Sequence, residues 1–168
     1  MSENLPLWLP DLIELKEFGG DWNRYLPELY RYFKRDFVIS RPRLEGSDIV
    51  LKRYPVIRGF EASFWHLITS EDPGSMSDYT SGRLPDLRRC ERIRWPRAIV
   101  EHANDPCVLT WCNERKGSVR TLLFVPEADY LLVLANRSGY LILWTGYTVE
   151  RPHRKKKLLE EYERKKKV

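Results

Sequence analysis

The sequence predicts an α+β domain: N-terminal helices packed on a twisted, mainly antiparallel sheet with a C-terminal four-stranded meander. Three observations carry that class. Within residues 1–45 the apolar side chains recur at helical spacing. Residues 107–149 hold four runs rich in β-branched and aromatic residues, joined by short polar turns. Beyond residue 150 the apolar runs stop and basic residues take over. A chain of 168 residues is sized for a single core. We divide it into one domain over 1–152, helical over 1–45 and sheet-rich over 46–152, and a basic helix or tail over 153–168.

Each element has its own signal. Residues 11–18 suit a short helix that Gly19 and Gly20 stop. Pro27 suits the first turn of a second helix, whose apolar face is Leu29, Tyr30, Phe33 and Phe37. That stripe reads as core. Residues 48–57 read as a strand, Gly59 as a bend and residues 60–68 as the next strand. Residues 71–85 form a long polar loop, a kind of segment that often serves function. Asp86 is placed as the N-cap of an arginine-bearing helix. Pro96 kinks or restarts that helix before residues 98–102 continue it. Strands follow over 107–113, 119–125, 130–135 and 140–149, and their short connections favour consecutive antiparallel hairpins. Residues 154–167 form a charged helix with an apolar stripe at Leu158, Leu159 and Tyr162.

Composition excludes several classes. Six Trp, nine Tyr and six Phe argue against disorder. No stretch approaches the roughly 20 apolar residues of a membrane span. The N-terminus is acidic and lacks the layout of a signal peptide. The expectation is a cytoplasmic protein with no membrane partner. Cys90, Cys107 and Cys112 are an odd count for a disulfide framework. Cys107 and Cys112 have loosely metal-like spacing within an apparent strand, but no second pair completes a zinc site. We read them as reduced thiols and expect no metal and no cofactor. A Gly-rich phosphate loop, a Gly-x-Ser-x-Gly elbow and a His-Glu-x-x-His motif are all missing. That argues against a nucleotide-driven motor, a serine hydrolase and a zinc protease.

The net charge of +5 is unevenly placed. Residues 151–168 carry nine basic and three acidic side chains, and residues 83–97 carry six Arg against Asp86 and Glu91. Two basic zones on a near-neutral body suit a polyanionic partner. The other reading of the tail is a solvated helix face.

Several residue types point to chemistry. On a strand over 60–68, His66 shares a face with Phe64 and Ile68. Apolar neighbours favour the neutral imidazole, which accepts a proton from a ribose 2′-hydroxyl. The alternative is a core histidine bonded to backbone. Arg88, Arg92 and Trp95 make a helical stripe with Arg89 beside it, suited to a phosphate next to a stacked base. The alternative is a helix salt-bridged through Asp86 and Glu91. Six arginines without a lysine favour bidentate binding. Arg83 and Arg94 extend this nucleic-acid surface, as do Arg154, Lys155 and Lys156 in the tail. In the last strand Leu141, Leu143, Thr145, Tyr147 and Val149 share one face, and Trp144 points the other way into the core. Thr145 and Tyr147 can orient a phosphate through their hydroxyls, or serve simply as strand formers. His102 ends a helix, where a positive charge is favourable, and His153 begins the tail.

The order of these segments is itself informative. Gly59-Phe60 precedes Phe64-Trp65-His66-Leu67-Ile68, then Arg89-x-x-Arg92-Ile93-x-Trp95, then Trp111, then Tyr130-Leu131-Leu132-Val133-Leu134, then Trp144-Thr145-x-Tyr147. Over roughly residues 45–150 the chain resembles the phage- and plasmid-associated branch of the barnase–EndoU–colicin–RelE-like nucleases. The resemblance implies N-terminal helices on a four-stranded antiparallel sheet. It implies metal-independent RNA cleavage, in which a ribose 2′-hydroxyl attacks the adjacent phosphorus and leaves a cyclic phosphate. It makes His66 the base or acid, Arg89 and Arg92 phosphate clamps, Thr145 the late-strand hydroxyl and Tyr147 its helper. A toxin-like or mobile-element role follows, with RNA as one partner and an acidic inhibitor or antitoxin protein as another. No second histidine stands as the partner acid. The rival classes are a non-catalytic nucleic-acid-binding protein with His66 buried, and a protein-interaction module whose basic tail meets an acidic partner.

Overall fold

The computed structural model describes residues 4–70 and 84–166. Six strands form its sheet: β1 (Arg43–Leu44), β2 (Ser47–Leu51), β3 (Leu109–Arg115), β4 (Ser118–Val125), β5 (Tyr130–Arg137) and β6 (Tyr140–Thr148). Their order is β1-β2-β6-β5-β4-β3. The four C-terminal strands pair antiparallel in sequence order, the expected meander. β2 joins this meander parallel to β6, so the sheet is mixed. A parallel partner needs a crossover, and the helical segments between β2 and β3 supply the chain for it. The α+β class read from the sequence is the class observed.

Strand alternation sorts the core. Leu132, Leu134, Leu141 and Leu143 face one cluster, while Trp111, Leu122, Leu131, Val133 and Val149 face another. The first is covered by helices α1 (Trp22–Phe33), α2 (Ala62–Ile68), α3 (Leu87–Glu91) and α4 (Trp95–Glu101). Over the second lies α5 (Pro152–Lys166), which buries Leu158 and packs Leu159 and Tyr162 beside it. β5 is thus buried on both faces, which explains its unbroken apolar run.

The N-terminal helices depart from expectation in detail. Only Leu15–Phe18 of the first is helical, as a 3-10 turn closed by Gly19 at φ +65°. Asp21 caps α1 by accepting from the Asn23 amide, so Pro27 falls inside the helix and not in its first turn. Leu29, Phe33 and Phe37 are buried and Tyr30 half-buried, as the stripe required. A π-helical turn, Lys34–Ile39, carries Phe37.

Two strand expectations need correction. The first strand stops at Leu51, and residues 60–68 form a bend into helix α2 instead of a strand. The run is apolar on all sides, and period alone does not separate a buried strand from a buried helix. Here Ala62, Ser63, Phe64, His66, Leu67 and Ile68 are all buried, as expected of a helix apolar all round. Ser63 fixes its seat: the hydroxyl donates to Leu143 O at 3.1 Å and accepts the Lys52 amide at 2.7 Å.

Residues 71–83 of the expected long loop, and Arg83 with them, lie outside the described residues. Beyond it, Asp86 caps α3 through the Arg88 and Arg89 amides, as the sequence suggested. Pro96 sits in the first turn of α4, so the helix restarts there. Cys107 precedes β3 and is not in a strand, and all three cysteines are free thiols.

One irregularity sets the functional geometry. Val133 pairs with Thr145 but Leu134 pairs with Leu143, leaving Trp144 as an extra residue. This β-bulge reverses the alternation. Leu141 and Leu143 face the first core, whereas Tyr147 and Val149 belong to the second cluster, and Thr145 pairs with its member Val133. The expected common face of residues 141–149 is therefore broken at Trp144. Gly146 completes the turn-over: a Cβ there would lie 2.3 Å from the Tyr130 hydroxyl, so the buried tyrosine requires a glycine.

Candidate functional site

α5 covers only part of the second sheet face. Beside it runs a groove of about 1020 Å³, floored by Leu122, Leu131 and Val133 and bounded by the end of α2 on one side and α5 on the other. Among the described residues seven cations line it (Arg89, Arg115, Lys116, Arg120, Arg154, Lys157 and Arg164) against three carboxylates, Glu114, Glu160 and Glu161. Such a surplus on a concave surface raises the local concentration of anions.

The α2 end of the groove is built around a helix terminus. The last carbonyls of a helix have no partner within it. His66 O accepts from Arg89 Nη1 at 3.0 Å and from Thr145 Oγ1 at 3.2 Å. Arg89 Nη1 also donates to Thr145 Oγ1 at 3.1 Å, which closes a triangle between α2, α3 and β6. Arg89 and Thr145 therefore hold the backbone that carries His66. The His66 ring, only 8% exposed, meets Trp144 edge-on at 5.8 Å and lines the groove.

Aromatic side chains of β6 collect the cations. Trp144 has the Arg120 guanidinium 4.7 Å and the Lys52 ammonium 5.5 Å from its ring centre. The Tyr147 ring lies 5.3 Å from the Arg89 guanidinium, and its hydroxyl accepts from Arg154 Nη2 at 3.5 Å. Cation–π contact of this kind holds a guanidinium in place. At the α5 wall, Glu161 accepts from Trp111 Nε1 at 2.9 Å and from Asn113 Nδ2 at 3.2 Å.

His66, Arg89, Thr145, Tyr147 and Arg154 thus meet at one place. The other sequence candidates do not. Arg92 lies over Trp95 at 5.0 Å and donates to Arg88 O, away from the groove. Trp95 is 3% exposed, edge-on to Tyr130, and donates to Pro10 O, so it is a core residue and no base can stack on it. Arg88 pairs with Glu150, Arg94 lies over Tyr32, and Arg97 donates to Asp36 O. Lys155 bonds Pro126 O and Asp129, and Lys156 is exposed on α5 outside the groove. The expected Arg88–Arg92–Trp95 stripe fails because α3 ends at Glu91 and Arg92 already has non-helical dihedrals.

Lys52 and Arg120 escaped the sequence reading, and Trp144, expected in the core, is half-buried and lines the groove instead. Arg120 had a signal, as the lone charge in the run Val119 to Val125. The turn of Trp144 toward the groove had none, because a bulge is set by pairing and not by composition. His102, expected as a cap charge, stacks on Trp8 at 4.4 Å and bonds Ala98 O. Among the described residues no three His, Cys, Asp or Glu side chains gather as metal ligands, and no helix is long and apolar enough to cross a membrane. Comparison with protein-family models, with curated proteins and with solved structures finds no match to this chain.

Proposed function

We propose that this chain is a cytoplasmic, metal-independent endoribonuclease, related to the barnase–EndoU–colicin–RelE-like nucleases and serving a toxin-like or mobile-element role. The observation that carries the reading is the meeting of His66, Tyr147, Arg120 and Arg154 in one cation-lined groove. RNA lies along the groove with a phosphodiester between Arg120 and Arg154, where guanidinium forks match its oxygens. His66 takes the proton of the ribose 2′-hydroxyl as that oxygen attacks phosphorus. The bond from phosphorus to the 5′ oxygen breaks, and that oxygen takes a proton from the Tyr147 hydroxyl. The products are a 2′,3′-cyclic phosphate and a 5′-hydroxyl. Arg89 supplies positive charge from behind Tyr147 while capping α2. An acidic inhibitor protein covering the same cations would block entry.

One observation favours a second reading, RNA binding without cleavage. Arg89 and Thr145 bond the His66 backbone, and His66 itself is nearly buried. Cleavage of a mixed RNA in excess EDTA separates the two. The nuclease reading expects cleavage by the wild type and its loss in both His66→Ala and Tyr147→Phe, with the circular-dichroism spectrum unchanged. RNA bound but uncut by the wild type establishes the second reading.

A further inference from the structure

Away from the groove, three guanidinium groups surround one aromatic ring. The Tyr32 ring has Arg31 at 4.6 Å, Arg35 at 5.1 Å and Arg94 at 5.2 Å from its centre. Arg31 and Tyr32 come from α1, Arg35 from the π-helical turn, and Arg94 from the junction before α4. None of the four lines the groove. Assembling three like charges is unfavourable unless anions offset them. Glu28 pairs with Arg31, and Asp36 pairs with Arg35 at 3.0 Å. Arg94 makes no direct ion pair among the described residues, and it shares the influence of the buried Asp36 with Arg35 and Arg97. The Arg31 and Arg35 side chains remain 58% and 50% exposed, so their outer edges are open to a ligand.

We infer that Arg31, Arg35 and Arg94 form a second anion-binding site around Tyr32, and that it takes a phosphodiester of the same RNA strand that occupies the groove. The inference rests on the groove reading above. Arg94 lies five residues beyond Arg89 through a helix end and a turn. At ~1.5 Å per helical residue and ~3.3 Å per extended one, that separation is roughly 8–17 Å, within reach of a few nucleotides. The planar forks suit phosphate oxygens, and the aromatic ring holds the forks apart. The contact is to backbone, so it adds affinity without base preference.

The test uses the full chain and labelled 2′-O-methyl RNA, which has no attacking hydroxyl. One oligonucleotide is short enough for the groove alone, and the other is several times longer. Binding is followed by fluorescence anisotropy over a salt series, for wild type, Arg31→Ala/Arg35→Ala, Arg94→Lys and Arg120→Ala. The double variant is expected to bind the long strand about tenfold more weakly and to lower its salt slope by about 1.4, the value for two phosphate contacts. Its affinity for the short strand stays at the wild-type level. Arg94→Lys keeps the charge, loses the fork and falls in between. Arg120→Ala weakens both strands. An unchanged long-strand affinity and slope in the double variant overturns the second site while leaving the groove reading intact. Failure of the wild type to bind either strand overturns both.

Discussion

The two faces of the sheet are woven from the same alternating strands, yet only one keeps polar chemistry. On the first face Leu132, Leu134 and Leu143 lie under four helices and are sealed. On the second, among the described residues, Leu131 and Val133 lie under α5 alone, and the remainder forms a groove edged by Thr145 and Tyr147. The difference is one of cover, not of strand composition. Helices pack where apolar faces are wide, and α5 offers only Leu158, Leu159 and Tyr162. No other element of the described residues covers the second face, and polar tips are tolerated where water can reach them.

That contrast can be broken by substitution, and the largest effect belongs to the sealed face. Leu143→Ala is expected to lose ~2–5 kcal/mol of stability through the cavity it leaves. Tyr147→Phe, on the open face, should stay within about 0.5 kcal/mol of wild type. Urea denaturation measures both, and equal losses would mean that the faces are sealed alike. A smaller effect sits where the faces join. Thr145→Val removes the hydroxyl that bonds His66 O and accepts from Arg89. We expect a loss of about 0.5–1.5 kcal/mol, the ordinary worth of a hydrogen bond. A loss near zero would show that Arg89 caps α2 alone.

The smallest effect is a pH dependence on the helical side. Burial pushes the Asp36 carboxyl above its ordinary range, and the nearby Arg35, Arg97 and Arg94 only partly oppose it. Asp36 Oδ2 is buried with no hydrogen-bond partner among the described residues, which agrees with that direction. A raised folded pKa stabilises fully below the unfolded value of about 3.9, and that contribution is lost as pH rises through the folded pKa. Asp36→Asn should therefore remove one component of the stability decline between acid and neutral pH. Matching thermal-melt profiles for variant and wild type across that range would count against it.

The arginine island teaches the same lesson as the faces. Its composition signals a polyanion site, but the fold sends Arg89 to the α2 terminus, Arg92 onto Trp95, Arg94 onto Tyr32 and Arg97 to the Asp36 and Ser40 carbonyls. Guanidinium is a good cap for orphan carbonyls as well as a good phosphate ligand, and a linear sequence does not distinguish the two uses. The groove instead recruits Arg120 from β4, and Trp144 draws in Lys52 from just beyond the end of β2.

Local signals were sufficient where the cause is local. Asp86 as a cap, the restart at Pro96, the hairpins of the meander and the apolar stripe of α1 were all legible, because capping, ring geometry and periodicity act within a few residues. Helix α2, the parallel pairing of β2 and the bulge at Trp144 were decided by tertiary structure. An all-apolar segment takes whichever conformation its neighbours can bury, and Ser63 and Thr145 bind that choice to β6. The bulge exists only between paired strands, and it alone puts Thr145 and Tyr147 on the groove side of the sheet.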